Sequence, residues 1–121
     1  MRMWMVDPVI MCRQHLLGEH RELHAIQGLV KKGTSLTGYL LRGLVEPQSL
    51  YPRHTQIVRE MLARGYKHHT PLPEAATPCQ KYTAVIDAVA SLNELLSRCP
   101  ECTKRFARAI IEARKVELKG A

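Results

Sequence analysis

The sequence predicts an all-α fold: one compact domain over residues 1–121, with three to four helices joined by long irregular connections. Apolar residues recur at helical spacing in several segments of the chain. No segment shows the strict alternation of a half-buried strand, and no internal repeat is present. The length of 121 residues suits a single hydrophobic core.

The first helix is expected over residues 8–32. Asp7 is a suitable N-cap, and Pro8 suits the first helical position. At about 3.6 residues per turn, one apolar stripe faces the core. Its members are Val9, Leu16, Leu23, Ile26 and Val30. Gly33 should end the helix as its C′ residue.

Two features of this first helix indicate more than packing. Glu19 falls near the apolar stripe, where an ionised group needs a partner. Three residues of the same helix could supply it: Arg13, His15 and Arg21. On the opposite face Gly18 and Ala25 are small, so a large ligand could approach the backbone there.

The rest of the chain predicts three more helices and two irregular connections. Residues 34–48 are weakly patterned and indicate a loop or a short helical turn. Residues 66–78 contain three prolines and cannot form one regular element. The further helices are expected over residues 52–64, 80–98 and 100–118. In the last two, the residues assigned to the apolar face include Val85, Val89, Ile110, Ile111 and Val116 or Leu118.

Composition limits the partners. The formal net charge of +7 favours a polyanion, with nucleic acid as the leading candidate. The alternative is a basic protein whose charge only keeps its surface soluble. No run of 18 apolar residues is present, so no membrane span is expected. The first eight residues lack a long apolar segment, so we expect no signal peptide and a cytoplasmic location.

The four cysteines leave two interpretations open. Cys99 and Cys102 form a C-x-x-C pair, while Cys12 and Cys79 are isolated in sequence. A second pair would favour zinc strongly, but the sequence shows none. Reduced, partly buried thiols are therefore favoured over a metal site. His68 and His69 follow Lys67 in what reads as a loop, without evident metal-ligand partners.

Basic residues near the end of the chain could contact phosphates. They are Lys104, Arg105, Arg108, Arg114 and Lys115. Phosphate contact and a merely solvated helix face explain this run equally well.

The first helix also carries candidate chemistry. Glu22 shares a face with Arg21, Gln14 and His15, and a carboxylate there could act as a general acid or base. A surface glutamate paired with an arginine is the commoner case. His15 is likewise more often a hydrogen-bonding structural residue than a catalyst.

Three blocks of residues resemble the phage endonuclease V family of pyrimidine-dimer DNA glycosylases. The first-helix block comprises Gln14-His15-Leu16, Glu19 and Arg21-Glu22-Leu23. The second-helix block comprises Glu60, Leu62 and Arg64-Gly65-Tyr66. The last block comprises Arg98, Pro100, Lys104, Phe106 and Arg108-Ala109-Ile110. The first block is the most specific, because several polar residues fix its register.

This resemblance implies a compact helical enzyme that cuts the glycosidic bond of a damaged pyrimidine and then nicks the strand by β-elimination. It implies a double-stranded damaged DNA substrate, no metal or organic cofactor and a monomer. By the same resemblance, the protein would act in the cytoplasm, either near a bacterial nucleoid or as a viral protein in its host cell. Glu22 takes the role of the essential acid/base. The residues expected to contact DNA are Arg2, Gln14, His15, Arg21, Lys104, Arg105 and Arg108.

The resemblance also assigns the nucleophile to the α-amine of the first residue. The family uses a threonine exposed by removal of the initiator methionine, and that threonine aligns with Met1 here. Because Arg2 is bulky, we expect Met1 to be retained with a free amine.

Departures from the family pattern concern the residues that would hold a distorted duplex. Ala25 stands where the family has an arginine, and Phe106 alone represents its aromatic-rich segment. The lesion could therefore be a different damaged or modified base, or the protein could be a lyase that acts mainly on abasic sites. Two further alternatives stay open: a non-catalytic DNA-binding helical domain, and a zinc-stabilised interaction module using Cys99 and Cys102.

Overall fold

Five α-helices make up the computed structural model, which describes residues 1–72 and 77–120. They are α1 (Arg13–Lys32), α2 (Thr37–Leu41), α3 (Leu50–Ala63), α4 (Ala88–Arg98) and α5 (Pro100–Lys119). Three short 3-10 helices accompany them at Pro8–Ile10, Pro47–Ser49 and Thr77–Lys81. The described residues contain no β-strand, so the all-α prediction is confirmed. None of the described helices is both long and apolar enough to cross a bilayer.

The first helix differs from its prediction at its start. Asp7 caps only the short 3-10 helix, where its carboxylate accepts a hydrogen bond from the backbone N–H of Val9. Cys12 has an extended backbone and caps α1 instead. Val9 therefore lies outside the apolar stripe and is 42% exposed. The end of α1 is as expected, because Gly33 adopts the left-handed conformation with φ 74°.

The predicted third helix begins eight residues late, at Ala88. The Asp87 carboxylate accepts from the backbone N–H of Ala90 at 3.0 Å, which fixes the helix start there. Before it, the Ile86 N–H donates to the Glu46 carboxylate at 2.9 Å, and the Gln48 amide donates to the Ala84 carbonyl. These side chains satisfy the backbone in a non-helical conformation.

Several residues expected in the core are exposed. Val85 and Val89 are 81% and 70% exposed, because the first precedes α4 and the second faces outward from it. The C-terminal half of α5 extends beyond the core, and its apolar residues are exposed: Ile110, Ile111, Val116 and Leu118. Residues 66–72 are irregular, as predicted, while residues 73–76 of that connection lie outside the described part of the chain.

The core lies between α1 and α3 on one side and the α4–α5 pair on the other. Its fully buried side chains include Leu16, Leu23, Ile26, Leu50, Ile57 and Leu95. The first six residues of the chain run into this core, with Met3 and Trp4 buried. Met5 has a positive φ of 56° between two buried neighbours, an unfavourable conformation for a residue with a Cβ.

Candidate nucleic-acid interface

A basic groove lies between the start of α1 and the first half of α5. It encloses about 530 Å³. Its lining residues are Cys12, Arg13, Gln14, Leu17 and Arg21 from the α1 side, with Glu101, Arg105 and Arg108 from α5. Four guanidinium groups thus face one carboxylate. A groove with this excess of positive charge attracts a phosphate backbone.

The groove brings together four residues that the sequence assigned to DNA contact: Gln14, Arg21, Arg105 and Arg108. They come from two helices that are far apart in the chain. Lys104, a fifth, is not among the lining residues, and its ammonium pairs with Glu101 at 3.2 Å. Arg105 also donates to the backbone carbonyl of Val9 at 3.1 Å, which holds α5 against the N-terminal segment.

Arg13 is a groove residue that sequence reasoning considered only as a partner for Glu19. Its guanidinium lies 4.5 Å from the centre of the Tyr66 ring. A hydrogen bond from Arg13, followed by smaller effects, lowers the pKa of Tyr66. The sequence signal was present, because Arg13 precedes Gln14 at the start of the same polar face.

Arg2 is held on α4 and does not line the groove. Its guanidinium pairs with the Glu94 carboxylate at 2.7 Å and stacks 3.8 Å from the centre of the Trp4 ring. The pairing with Arg2 lowers the pKa of Glu94. Arg2 thus ties the beginning of the chain to α4.

His15 points toward cysteine thiols. Its Nδ1 lies 3.2 Å from the Cys12 sulfur and 3.7 Å from the Cys102 sulfur. The ring also meets the Trp4 ring edge-on, with centroids 5.8 Å apart. Burial, and then the charge of Arg98, lowers the pKa of His15. The histidine therefore belongs to a cysteine cluster at the floor of the groove.

Glu22 is half-buried on α1, one residue after Arg21. Among the described residues, no cationic group lies within ion-pair distance of its carboxylate, so it is not the arginine-paired surface glutamate considered above. One turn earlier on the helix, the space beside Gly18 is open, and a side chain there would meet nothing within 4 Å. Because Gly18 has no side chain, a ligand can approach the Glu22 carboxylate from that side of α1.

The first residues of the chain are fixed against α1. The Trp4 N–H donates to a Glu19 carboxylate oxygen at 3.0 Å, and the Met3 N–H donates to the Leu44 carbonyl at 2.8 Å. Met1 precedes Trp4 by three residues, a span of at most about 10 Å of chain. Glu19 and Glu22 are three positions apart on α1, where side chains are neighbours.

Glu19 finds a partner that the sequence did not indicate. The Arg53 guanidinium of α3 binds both carboxylate oxygens, at 2.5 and 3.0 Å, and both side chains are almost fully buried. Arg53 also donates to the Val6 carbonyl at 2.6 Å. The expectation that Arg13, His15 or Arg21 would serve was wrong, because these side chains are exposed or half-buried on α1 while the Glu19 carboxylate points into the core toward α3.

Within residues 1–72 and 77–120, two groups of side chains could hold a metal ion. Cys12, His15, Cys99 and Cys102 place their donor atoms within 4.8 Å of one another, and so do His20, His54 and His68. Burial, with smaller effects from neighbouring histidines, lowers the pKa of His20 and of His54 to about 4. In the histidine group, the Nε2 atoms of His20 and His68 are 3.0 Å apart.

A groove lined by four arginines is typical of a surface that binds a polyanion such as nucleic acid. Residues 1–74 match a family model described as pyrimidine dimer DNA glycosylase. The chain therefore belongs to the pyrimidine dimer DNA glycosylase family, as its first-helix block indicated. Neither the curated proteins nor the solved structures gave a match.

Proposed function

We propose that this protein excises damaged pyrimidines, with UV cyclobutane dimers as the leading substrate, and then cleaves the strand at the abasic site. It acts as a monomer on double-stranded DNA. One observation supports this most directly: four of the residues assigned to DNA contact line a single basic groove, namely Gln14 and Arg21 of α1 with Arg105 and Arg108 of α5. Family membership supports the glycosylase class.

In the proposed mechanism the α-amine of Met1 is the nucleophile. An α-amine has a pKa of roughly 7.7–8.0, well below the roughly 10.4 of lysine, so a useful fraction is neutral at neutral pH. Its lone pair forms a bond to the sugar C1′, and the electrons of the glycosidic bond leave with the protonated base. The nitrogen loses a proton, which the departing base takes up, and the sugar ring opens as O4′ takes a proton from water, which gives the protonated Schiff base.

Glu22 has two roles in this proposal. Its carboxylate stabilises the positive charge that develops on the sugar, and it then accepts a proton from C2′. The electrons of that C–H bond move toward the iminium, the C3′–O bond breaks, and the 3′ phosphate leaves. Water finally hydrolyses the iminium and frees the amine. Among the described residues no cation is paired with the Glu22 carboxylate, which leaves its oxygens open to accept that proton.

The arginines of the groove supply affinity. Arg21 and Arg108 lie on different helices, so they can contact phosphates on either side of the lesion. Such contacts give salt-sensitive binding and scanning along the duplex. A damaged base pair costs less to open than an intact one, which favours extrusion of the target nucleotide.

Borohydride trapping tests the chemistry. The protein is incubated with duplexes that carry a cyclobutane dimer, an abasic site, an oxidised pyrimidine or no lesion, and the reduced adduct is resolved by gel and mass spectrometry. We expect adducts on dimer and abasic duplexes, with the modification on the Met1 residue. Intact mass before the assay establishes whether Met1 is present and unblocked.

Two variants assign the roles. Glu22→Gln should lose strand cleavage by at least about 100-fold, the usual range for a general acid/base, and should keep most of its DNA binding. Glu117→Gln, on the exposed end of α5, is the matched control and should cleave normally. Protein acetylated at its N-terminus that still forms the adduct would refute the amine assignment. Binding without an adduct on any duplex would identify a non-catalytic DNA-binding domain instead.

A further inference from the structure

Four metal-ligating side chains from the two ends of the chain meet beneath the basic groove. Cys12 and His15 come from the start of α1, and Cys99 and Cys102 from the start of α5. Their donor atoms all lie within 4.8 Å of one another. Cys102 is fully buried, and Cys12 and Cys99 are each 9% exposed. The two C-x-x-(C/H) units are separated by 87 residues of sequence, which is why the sequence alone did not pair them.

Two distances in the cluster match a tetrahedral ion, while a third, 3.2 Å between Cys12 Sγ and His15 Nδ1, is shorter than the edge of a zinc-bound pair. Zinc bonds of about 2.3 Å to sulfur and about 2.0–2.1 Å to nitrogen give tetrahedral edges of about 3.8 Å between sulfurs and about 3.6 Å between sulfur and nitrogen. The Cys12 and Cys99 sulfurs are 3.8 Å apart. The Cys102 sulfur is 3.7 Å from His15 Nδ1. A disulfide needs about 2.05 Å between its sulfurs, so the cysteines are not cross-linked.

The backbone around the cluster favours thiolates, whereas burial raises the pKa of the Cys102 thiol. Cys12 is the N-cap of α1 and Cys99 is the N-cap of α5, so two helix N-termini point at the same group of sulfurs. Backbone N–H groups donate to all three sulfurs, at 3.2 Å to Cys102, 3.4 Å to Cys99 and 3.5 Å to Cys12. Helix N-termini and N–H donors lower the energy of a thiolate, the form that binds metal.

We propose that Cys12, His15, Cys99 and Cys102 bind one zinc ion in a closed, structural site. Three sulfurs and one imidazole nitrogen in a tetrahedral arrangement are a donor set typical of structural zinc. All four positions are filled by protein, which leaves no open position for catalysis. The ion has no part in the glycosylase chemistry.

The site fixes the geometry of the groove. Cys12 is itself a lining residue, and Arg13 and Gln14 lie between the two α1 ligands. On the other side, the Cys99–Cys102 turn begins the helix that carries Arg105 and Arg108. The ion therefore joins the two walls at their common base. Removing it frees one wall relative to the other and weakens DNA binding without changing any groove residue.

Metal analysis of the full-length protein, purified without chelator or affinity metal, tests the proposal. We expect about one zinc per chain. Cobalt exchanged into the protein should give strong visible d–d bands and thiolate-to-cobalt charge transfer. Cys102→Ala should lose the bound zinc, while Cys79→Ser, a change at a buried cysteine outside the cluster, should retain it.

A second pair of variants covers the case in which Cys102→Ala fails to fold. His15→Cys keeps four donors, so it should keep the zinc and strengthen the charge-transfer band of the cobalt form. His54→Ala, in the separate histidine group, should leave both the cobalt spectrum and this zinc unchanged. Protein that contains no zinc and gives no thiolate–cobalt band would overturn the proposal. Zinc that survives Cys102→Ala but is lost in His54→Ala would overturn it too, by assigning the ion to the histidines.

Discussion

Glu19→Gln should be among the most destabilising single changes in this protein. The substitution keeps the size of the side chain and an oxygen for the Trp4 N–H, but it leaves the Arg53 guanidinium buried without its counter-charge. Breaking a buried ion pair by removing one partner costs about 3–5 kcal/mol. Native domains are stable by only about 5–15 kcal/mol, so the loss is a large fraction of the total.

Urea unfolding followed by far-UV circular dichroism measures the effect. The loss corresponds to a fall in Tm of roughly 10–20 °C for a domain of this size. Glu112→Gln is the matched control, because Glu112 pairs with Lys115 at 3.3 Å on the exposed surface of α5. It should cost less than about 1 kcal/mol. In the double variant Glu19→Gln/Arg53→Met no unpaired charge remains. Its measured loss of stability should therefore be smaller than the sum of the losses of the two single variants.

A loss below about 1 kcal/mol for Glu19→Gln would refute this reasoning. It would mean that the guanidinium reaches water or another anion when the carboxylate is gone, and that the pair does not clamp α1 to α3. Equal and additive costs in the double variant would lead to the same conclusion.

Three further predictions follow from the groove and the core. Arg108→Ala should weaken binding to undamaged duplex and reduce the salt slope by about one. Arg114→Ala, outside the lining residues, should change the affinity and the salt slope less. Anisotropy titrations in a salt series measure both quantities. Acidification should destabilise the fold between pH 6.5 and about 4. Burial keeps His20 and His54 neutral in that range, while the same histidines bind protons in the unfolded chain. A Tm that does not change over that range would contradict this prediction. Arg64→Ala should cost about 1–3 kcal/mol in urea unfolding, because its guanidinium donates to backbone carbonyls around the first 3-10 helix, and an unchanged midpoint would refute this.

The helices that could be predicted well are those whose ends carry local signals. Gly33 ends α1 and Gly65 follows α3, both with positive φ, so the stopping points were readable from sequence. Pro100 occupies the first position of α5 as expected. These signals act within one turn of the residue concerned, which is why a single sequence is enough to find them.

The errors occurred where distant side chains decide the local structure. Residues 82–87 were expected to be helical, yet Glu46 and Gln48 hold that backbone in a non-helical form. Glu19 needed a partner 34 residues away. Contacts of this kind depend on which helices pack together, and periodicity does not contain that information.

The candidate interface was predictable only in part, because its two halves come from helices that are far apart in the sequence. Gln14 and Arg21 share a face of one helix, and Arg105 and Arg108 share a face of another, so each half could be proposed from spacing. That the two faces line one groove depends on the packing of the start of α1 against α5. The cysteine and histidine donors beneath the groove were hidden by this same separation in sequence.

The buried ion pair between Arg53 and Glu19 holds the backbone of the N-terminal segment, which begins with the proposed amine nucleophile. Arg53 and Glu19 bind the backbone of Val6 and Trp4, and Ser91 of α4 donates to the Trp4 carbonyl at 2.6 Å. A hydrophobic pair of similar volume could fill that space with equal or greater stability, but it could not hydrogen-bond these backbone groups. An amine that must meet C1′ in one orientation depends on a fixed backbone, since misplacement by about 1 Å can cost about 100-fold in rate. The Glu19→Gln/Arg53→Met variant keeps an oxygen for the Trp4 N–H but loses the hydrogen bond to the Val6 carbonyl. It should therefore lose more cleavage than its recovered stability would suggest, while its binding to undamaged DNA stays close to normal.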